Sequence, residues 1–309
     1  MHLTEQQLQA ETAVALGNFD GVHLGHRAVL EAAAANSAAG LLPVALTFSP
    51  HPQAVLHKKA PPALCEGRIR DELFRACGVS LRELDFYELK DMQAEAFFYE
   101  ILLGRFRAKF ISCGYNYSFG KRGEGDIALL SRLCEEKGVV LRVIPEVRVD
   151  GLPISSSNIR KELAEGDVRL ANLMLGRAFS YDFLVVSGDR RGRLLGFPTI
   201  NQFFPEGFAV PRYGVYAARA FAEGKWYDAM TNIGLRPTVG TDKPRSETCL
   251  LGYSGDLYGQ NVEVRLYQFL RPEIKFDSFE ALSAQIAQDA ETVRRTLQTV
   301  TGDAGVHCK

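Results

Sequence analysis

Gly17-Asn18-Phe19-Asp20-Gly21-Val22-His23-Leu24-Gly25-His26 follows the apolar run Val14-Ala15-Leu16 and opens the alanine-rich segment from Ala28 to Ala39. An apolar run, a glycine turn and a helix-forming segment in that order predict strand, turn and helix. His23 and His26 stand three apart and share one helix face. Gly25 between them has no side chain to keep a large anion from the amides of the helix start. The pattern is phosphate-binding chemistry.

A second short apolar run, Val44-Ala45-Leu46-Thr47-Phe48, is entered through Pro43 and leads into Ser49-Pro50-His51-Pro52. It reads as a buried strand. In open α/β sheets ligands sit outside the carboxyl ends of strands, so two strand ends aim histidines at one crevice. Downstream the pattern predicts a helix over 66–77 and a strand over 81–86. A buried helical stripe follows through Ala94, Phe97, Phe98, Ile101, Leu102 and Phe106, then a strand over 109–113, a helix over 126–137 and a strand over 139–147. This βα alternation implies a parallel sheet covered on both faces.

Residues 114–126 hold four glycines, two cations and three aromatics, among them Asn116, Tyr117 and Phe119. The composition suits a mobile loop over a planar or anionic ligand, and equally a glycine-rich surface loop. Ile154-Ser155-Ser156-Ser157-Asn158-Ile159-Arg160 opens another helix with a serine placed as N-cap. Its hydroxyls, free amides and Arg160 form a second anion site, although serine-rich caps are common in any helix.

Past Leu175 the texture becomes β-rich. Short runs at 183–186, 213–221, 226–233, 248–253 and 261–269, with the hairpin signal Glu223-Gly224, predict a small antiparallel barrel. Phe279, Leu282, Ile286, Val293 and Leu297 then mark an amphipathic helix that plugs or flanks it. The boundary falls within 172–182, giving domains 1–176 and 177–309. Gly188-Asp189-Arg190-Arg191-Gly192-Arg193-Leu194-Leu195-Gly196-Phe197-Pro198-Thr199-Ile200-Asn201 reads as a cationic turn running into a strand. The Thr199 hydroxyl and Asn201 carbonyl, two apart on an extended chain, are hard oxygen ligands on one side, suited to Mg²⁺ carrying ATP phosphates. A basic solvated turn before a proline-led strand gives the same string.

The composition bounds the function. With 309 residues, 46% hydrophobic and 24% charged, the chain has enough apolar material for two cores. A formal net charge of -1 argues against a nucleic-acid or anionic-membrane binder. The N-terminus lacks the basic and apolar regions of a signal peptide, and no apolar run is long enough to span a bilayer, so a cytoplasmic location is expected. Six scattered cysteines without a CxxC pair fit reduced thiols rather than a disulfide frame or zinc site. Nothing in the sequence specifies an oligomeric state.

A histidine pair after a strand, behind a glycine turn and at a helix start is the setting of nucleotidyl transfer, in which an anion attacks the α-phosphorus of a nucleoside triphosphate. The protein must hold the triphosphate and neutralise the charge that develops, and histidine donors with helix amides do that. The segments Gly17 to His26, Thr47 to Pro52, Tyr117-Ser118-Phe119-Gly120 and Ile154 to Arg160 together resemble the adenylyltransferase half of the bacterial bifunctional riboflavin kinase / FAD synthetase family. The resemblance implies an N-terminal Rossmann-like nucleotidyltransferase domain. Gly17, Phe19, Asp20, His23, Gly25, His26, Ser155, Ser156, Ser157 and Arg160 would bind ATP, with His23 and His26 catalytic. His51, Pro52, Asn116 and Phe119 would line the flavin cleft. Ser118 stands where the family usually has arginine.

The resemblance extends over roughly residues 12–298. Pro198-Thr199-Ile200-Asn201 matches the kinase half's PTxN, implying Mg²⁺ at Thr199 and Asn201 and ATP phosphates at Gly188, Arg193, Gly196 and Pro198. Phosphorylating an alcohol requires a base for the hydroxyl proton, and Glu247 takes the place of the family's catalytic glutamate. Asn232-Ile233-Gly234-Leu235-Arg236-Pro237-Thr238 resembles the NIGxRPT turn, and Arg271, Asp289 and Arg294 fall in the C-terminal segment on the flavin side. Cys249, Gly252 and Phe183 depart from the usual histidine, acidic or amide residue, and glycine. The expectation is a cytoplasmic enzyme that phosphorylates riboflavin to FMN and adenylylates FMN to FAD, with Mg²⁺ as cofactor and ATP as co-substrate, binding no nucleic acid and no membrane. The competing reading is a nucleotidyltransferase for another phosphorylated acceptor with an accessory flavin-binding barrel.

Overall fold

β1 (Thr12–Leu16) has the sequence TAVAL and is buried from end to end. A strand without a polar face needs partners on both edges and cover on both faces. Parallel pairing sets Val14 opposite Val44 of β2 (Leu42–Ser49) on one side and Ile111 of β4 (Ala108–Gly114) on the other. With β3 (Ser80–Asp85) beside β2 and β5 (Val140–Ile144) beside β4, the all-parallel order is β3-β2-β1-β4-β5. The order turns back at β1 and β4, which opens a crevice at their carboxyl ends. The computed structural model describes residues 10–187, 198–235 and 243–300.

The covering helices follow the apolar spacing. α1 (Leu24–Ala34) buries Val29, Leu30 and Ala33. α2 spans Gly67–Ala76. α3 (Ile127–Lys137) starts where the Asp126 carboxylate accepts the Leu129 amide at 2.9 Å, and it ends on left-handed Gly138. The stripe from Ala94 to Phe106 is buried as expected, but after a single α turn at Ala94–Ala96 it runs as a π-helix over Phe97–Arg105. The Phe106 N–H reaches back five residues to the Ile101 carbonyl at 3.0 Å. Spacings of four and five keep Phe97, Phe98, Ile101 and Leu102 on the core side in either helix type, so the sequence pattern does not separate them. The strand expected to reach Val147 stops at Ile144 because Pro145 has no N–H to donate.

Contacts divide the chain into two units. Among the described residues, those up to Pro61 and Arg70–Ser155 form the first; Pro62–Ile69 and those from Ser156 to Val300 form the second. The second contains α4 (Ser156–Glu165), α5 (Val168–Leu175) and six strands: β6 (Phe179–Leu184), β7 (Thr199–Phe203), β8 (Gly214–Ala222), β9 (Lys225–Leu235), β10 (Pro244–Leu250) and β11 (Asn261–Arg271). Their order is β6-β11-β8-β9-β10-β7, antiparallel throughout. The two edges meet where the Val186 N–H bonds the Asn201 carbonyl at 2.9 Å, and this closes the barrel. Glu223 and Gly224, both with positive φ, form the two-residue turn between β8 and β9.

Period-two alternation gives the barrel two distinct faces. Tyr181, Tyr216, Thr231, Ser246, Thr248 and Leu266 are fully or nearly fully buried inside. Val215, Ala217, Met230 and Tyr267 point the other way, and Val293 and Leu297 of α6 (Phe279–Thr299) pack on them. The terminal helix therefore flanks the barrel and does not plug it. Strand limits shift from the sequence reading by one or two residues in most of the barrel and by four at the starts of β6 and β10. β6 begins at Phe179 because Phe179 and Tyr181 pair with Leu266 and Val264 of β11. β10 ends at Leu250, ahead of Gly252 with φ 77°. Phe183 packs against Tyr181, Phe204 and Phe208, an aromatic cluster that accounts for a large side chain at that position.

Candidate active sites

The loop after β1 is shaped by its backbone. Phe19, Gly21 and Val22 all have positive φ, and such strain is held only where the surroundings over-determine it. Phe19 turns inward, 1% exposed, with its ring edge-on to His26 at 5.4 Å and to Phe74 at 5.9 Å. A Cβ on Gly17 would meet the Phe19 ring at 3.1 Å, so that glycine serves the same inward turn.

His23 is the N-cap of α1: its Nδ1 accepts the His26 amide at 3.2 Å. An accepting Nδ1 fixes the neutral ring as the Nε2–H tautomer, so Nε2 is a donor. The two imidazoles stack at 3.6 Å between centroids and 15° between planes. Gly25 makes room for this, since a Cβ there would stand 3.2 Å from His23 Cε1. His26 Nδ1 is buried with no hydrogen-bond partner among the described residues. Burial, and secondarily the His23 ring, hold the His26 pKa well below its ordinary 6.5, so this imidazole is neutral at pH 7. His51 repeats the capping device on the short helix Pro52–His57: its Nδ1 accepts the Gln53 amide at 3.2 Å. Its Nε2 is likewise a donor at the end of β2.

The remaining sequence candidates of this half fall in several places. Asp20 lies half-buried in the strained loop, and Asn116 is exposed just beyond β4. Phe119 is a core residue, 6% exposed, near Phe97 and stacked on Tyr117. The 114–126 segment is pinned, not free. Phe119 and Gly125 exchange backbone hydrogen bonds at 2.9 Å, and Glu124 accepts the Ala94 amide at 3.0 Å. Ser155 closes the first unit, while Ser156, Ser157 and Arg160 lie on α4 of the second. Arg160 Nε donates to the Pro62 carbonyl at 2.6 Å.

In the barrel, register assembles a polar face that the sequence places far apart. Glu247 pairs across the sheet with Asn201 on one side and Asn232 on the other. Thr199 pairs with Cys249, so Thr199, Asn201, Glu247 and Cys249 share one face. Arg245, on that face too, makes an ion pair with Glu247. Burial pushes the Cys249 thiol up to about 11, which makes it a neutral neighbour that adds no charge beside the carboxylate. Asn232 has the same standing in the register as Asn201 and did not emerge as a site residue from sequence, since strand pairing is not written locally. Pro198 is exposed at the entry to β7; Gly188, Arg193 and Gly196 lie outside the described residues. Arg271 and Asp289 form a bidentate pair, the shortest contact 2.7 Å, which ties the end of β11 to α6. Arg294 lies on the helix surface 3.6 Å from Glu291. Among the described residues no group of three or more His, Cys, Asp or Glu is placed to hold a metal, and no helix is long and apolar enough to cross a membrane.

A parallel sheet with a histidine-capped helix at its switch point, followed by a barrel with a glutamate between two asparagines, defines a two-site phosphate-transfer enzyme. The FAD synthetase family model matches residues 5–158 and the riboflavin kinase model residues 175–297. The chain is 33% identical to the bifunctional riboflavin kinase/FMN adenylyltransferase of Listeria monocytogenes over 94% of each chain. It is 34% identical to the Escherichia coli protein of the same description over 95% of each. A solved structure described as a macrolide-efflux protein from Streptococcus pneumoniae superposes with a TM-score of 0.85 at 29% identity, covering 93% of this chain and 94% of that one. That likeness carries the fold, and efflux is said of that protein alone. The chain belongs to the bifunctional riboflavin kinase/FMN adenylyltransferase family.

Proposed function

We propose that the chain makes FMN from riboflavin in the barrel and FAD from FMN on the parallel sheet, each with ATP, in the cytoplasm, and that the labour divides as 1–176 and 177–309. The observation that carries the kinase assignment is the pairing of Glu247 with Asn201 in the barrel register. Glu247 takes the proton from the 5′-hydroxyl as its oxygen bonds to the γ-phosphorus, and the bond from that phosphorus to ADP breaks. Thr199 and Asn201 present neutral hard oxygens on the Glu247 face, a donor set that suits Mg²⁺ sharing its remaining positions with phosphates and water. Bound there, the ion would neutralise charge on the phosphates.

In the other site His23 and His51 offer Nε2–H donors from capped, fixed rings, and His26 stacks on His23. With the amides of the α1 start and of Gly25, they would hold the triphosphate while the FMN phosphate attacks the α-phosphorus and pyrophosphate leaves. That nucleophile is already ionised, so no side-chain base is required. Asp20 and Ser155 complete the proposed ATP set within this unit, with Pro52 and Asn116 on the flavin side. Phe119 would shape that side from the core, and Arg271, Asp289 and Arg294 would border the kinase flavin.

The test is to incubate the protein with riboflavin, ATP and Mg²⁺ and separate the flavins. FMN and FAD are expected; neither appearing would refute the reading. FMN without FAD would confine the activity to the barrel.

A further inference from the structure

Asn201 of β7, Glu247 of β10 and Asn232 of β9 are successive cross-strand partners on one face of the barrel. Neighbours in such a row stand about 5 Å apart and its ends about 10 Å. The kinase chemistry above uses the first two. We propose that Asn232 contacts the flavin substrate, its Oδ1 accepting a hydrogen bond from a hydroxyl of the acceptor's polyol chain. This rests on the kinase reading, with phosphates at Asn201 and the reacting oxygen at Glu247. In-line transfer keeps the attacking and leaving oxygens on opposite sides of the phosphorus. The body of the acceptor therefore runs away from the phosphates, over the next strand, which is β9.

A second observation points to a ligand at the same atom. Asn232 Oδ1 is buried and has no hydrogen-bond partner among the described residues. Leaving a buried acceptor unmade is costly, and native structures do so where something else supplies the donor. The direction of the amide is fixed. Nδ2 donates to Glu273 Oε1 at 3.0 Å, and a carboxylate only accepts, so the nitrogen must face Glu273 and the oxygen the other way. Glu273 reaches the amide because Gly234, two residues along the same face, has no side chain. A Cβ there would collide with the Glu273 carboxylate. Asn232 is thus the contact, and Glu273 and Gly234 are positioning residues behind it.

Steady-state riboflavin phosphorylation by the full chain, with riboflavin and ATP varied separately, tests this. Asn232→Ala is expected to raise the KM for riboflavin about tenfold, the worth of one hydrogen bond, with the KM for ATP and the Mg²⁺ requirement unchanged. Gly234→Ala, which displaces Glu273, should raise it in the same direction by less. Glu273→Gln keeps an acceptor for the Asn232 Nδ2 and should leave riboflavin binding close to wild type while Asn232→Ala weakens it, read by flavin fluorescence titration without turnover. Thermal melting identifies a variant that fails to fold; should Asn232→Ala be one, Gly234→Ala decides. A rise in the ATP KM or the Mg²⁺ requirement would make Asn232 a phosphate-side residue and overturn the proposal, as would unchanged riboflavin kinetics in folded variants. An inactive wild-type chain would instead overturn the kinase reading itself.

Discussion

Two of the motif histidines have one ring nitrogen committed to a helix cap. His23 and His51 spend Nδ1 on helix caps, which leaves Nε2–H as a fixed donor. Gly25→Ala puts a methyl 3.2 Å from His23 Cε1 and tilts that donor, so FAD formation should fall about tenfold in initial-rate assays, with little change in melting temperature. An unchanged rate would mean that the ring's placement is immaterial. His26 makes a separate prediction through its depressed pKa. As pH falls below 6.5 the unfolded chain takes up the proton before the folded one, so the stability this neutral ring contributes is full above 6.5 and is lost on acidification. Urea unfolding of wild type and His26→Gln between pH 7 and 5 should show a steeper loss in wild type; parallel curves would contradict it. The spacing of the histidines was legible in the sequence. Their caps and tautomers were not, because histidine has no strong capping propensity to read.

At the scale of elements, local pattern carried type and long-range pairing carried the site. Strand-turn-helix at residues 12–34, the Asp126-capped helix and the Glu223-Gly224 hairpin follow from residues a few positions apart. The π-helix at Phe97–Arg105 does not, since its apolar stripe satisfies two helical registers. Nor does the burial of Phe119: a glycine-rich loop reads as mobile until Gly120 and Gly125 are seen pressed against Ala94. Gly120 has φ 76°, and a Cβ there would lie 2.6 Å from Ala94 Cα. Gly120→Ala should therefore destabilise the chain by about 3 kcal/mol in denaturant unfolding. A loss under about 1 kcal/mol would show the hairpin to be loosely held. In the barrel, Asn201, Glu247 and Asn232 are separated by 46 and 15 positions and become neighbours only through register. The resemblance matches all three and gives a role to two.

Over the whole molecule, two chemistries need two kinds of site. On the proposed reading, transfer to a phosphate draws its donors from the end of β1, and transfer to an alcohol draws its base from Glu247, which the register sets opposite Asn201. On the proposed reading the two sites work independently. Flavin separation after incubating His26→Ala and Asn201→Ala with ATP, Mg²⁺ and either riboflavin or FMN checks this. His26→Ala should accumulate FMN from riboflavin and make no FAD, while Asn201→Ala should fail on riboflavin and convert supplied FMN to FAD. Either substitution silencing both reactions in folded protein would contradict the account.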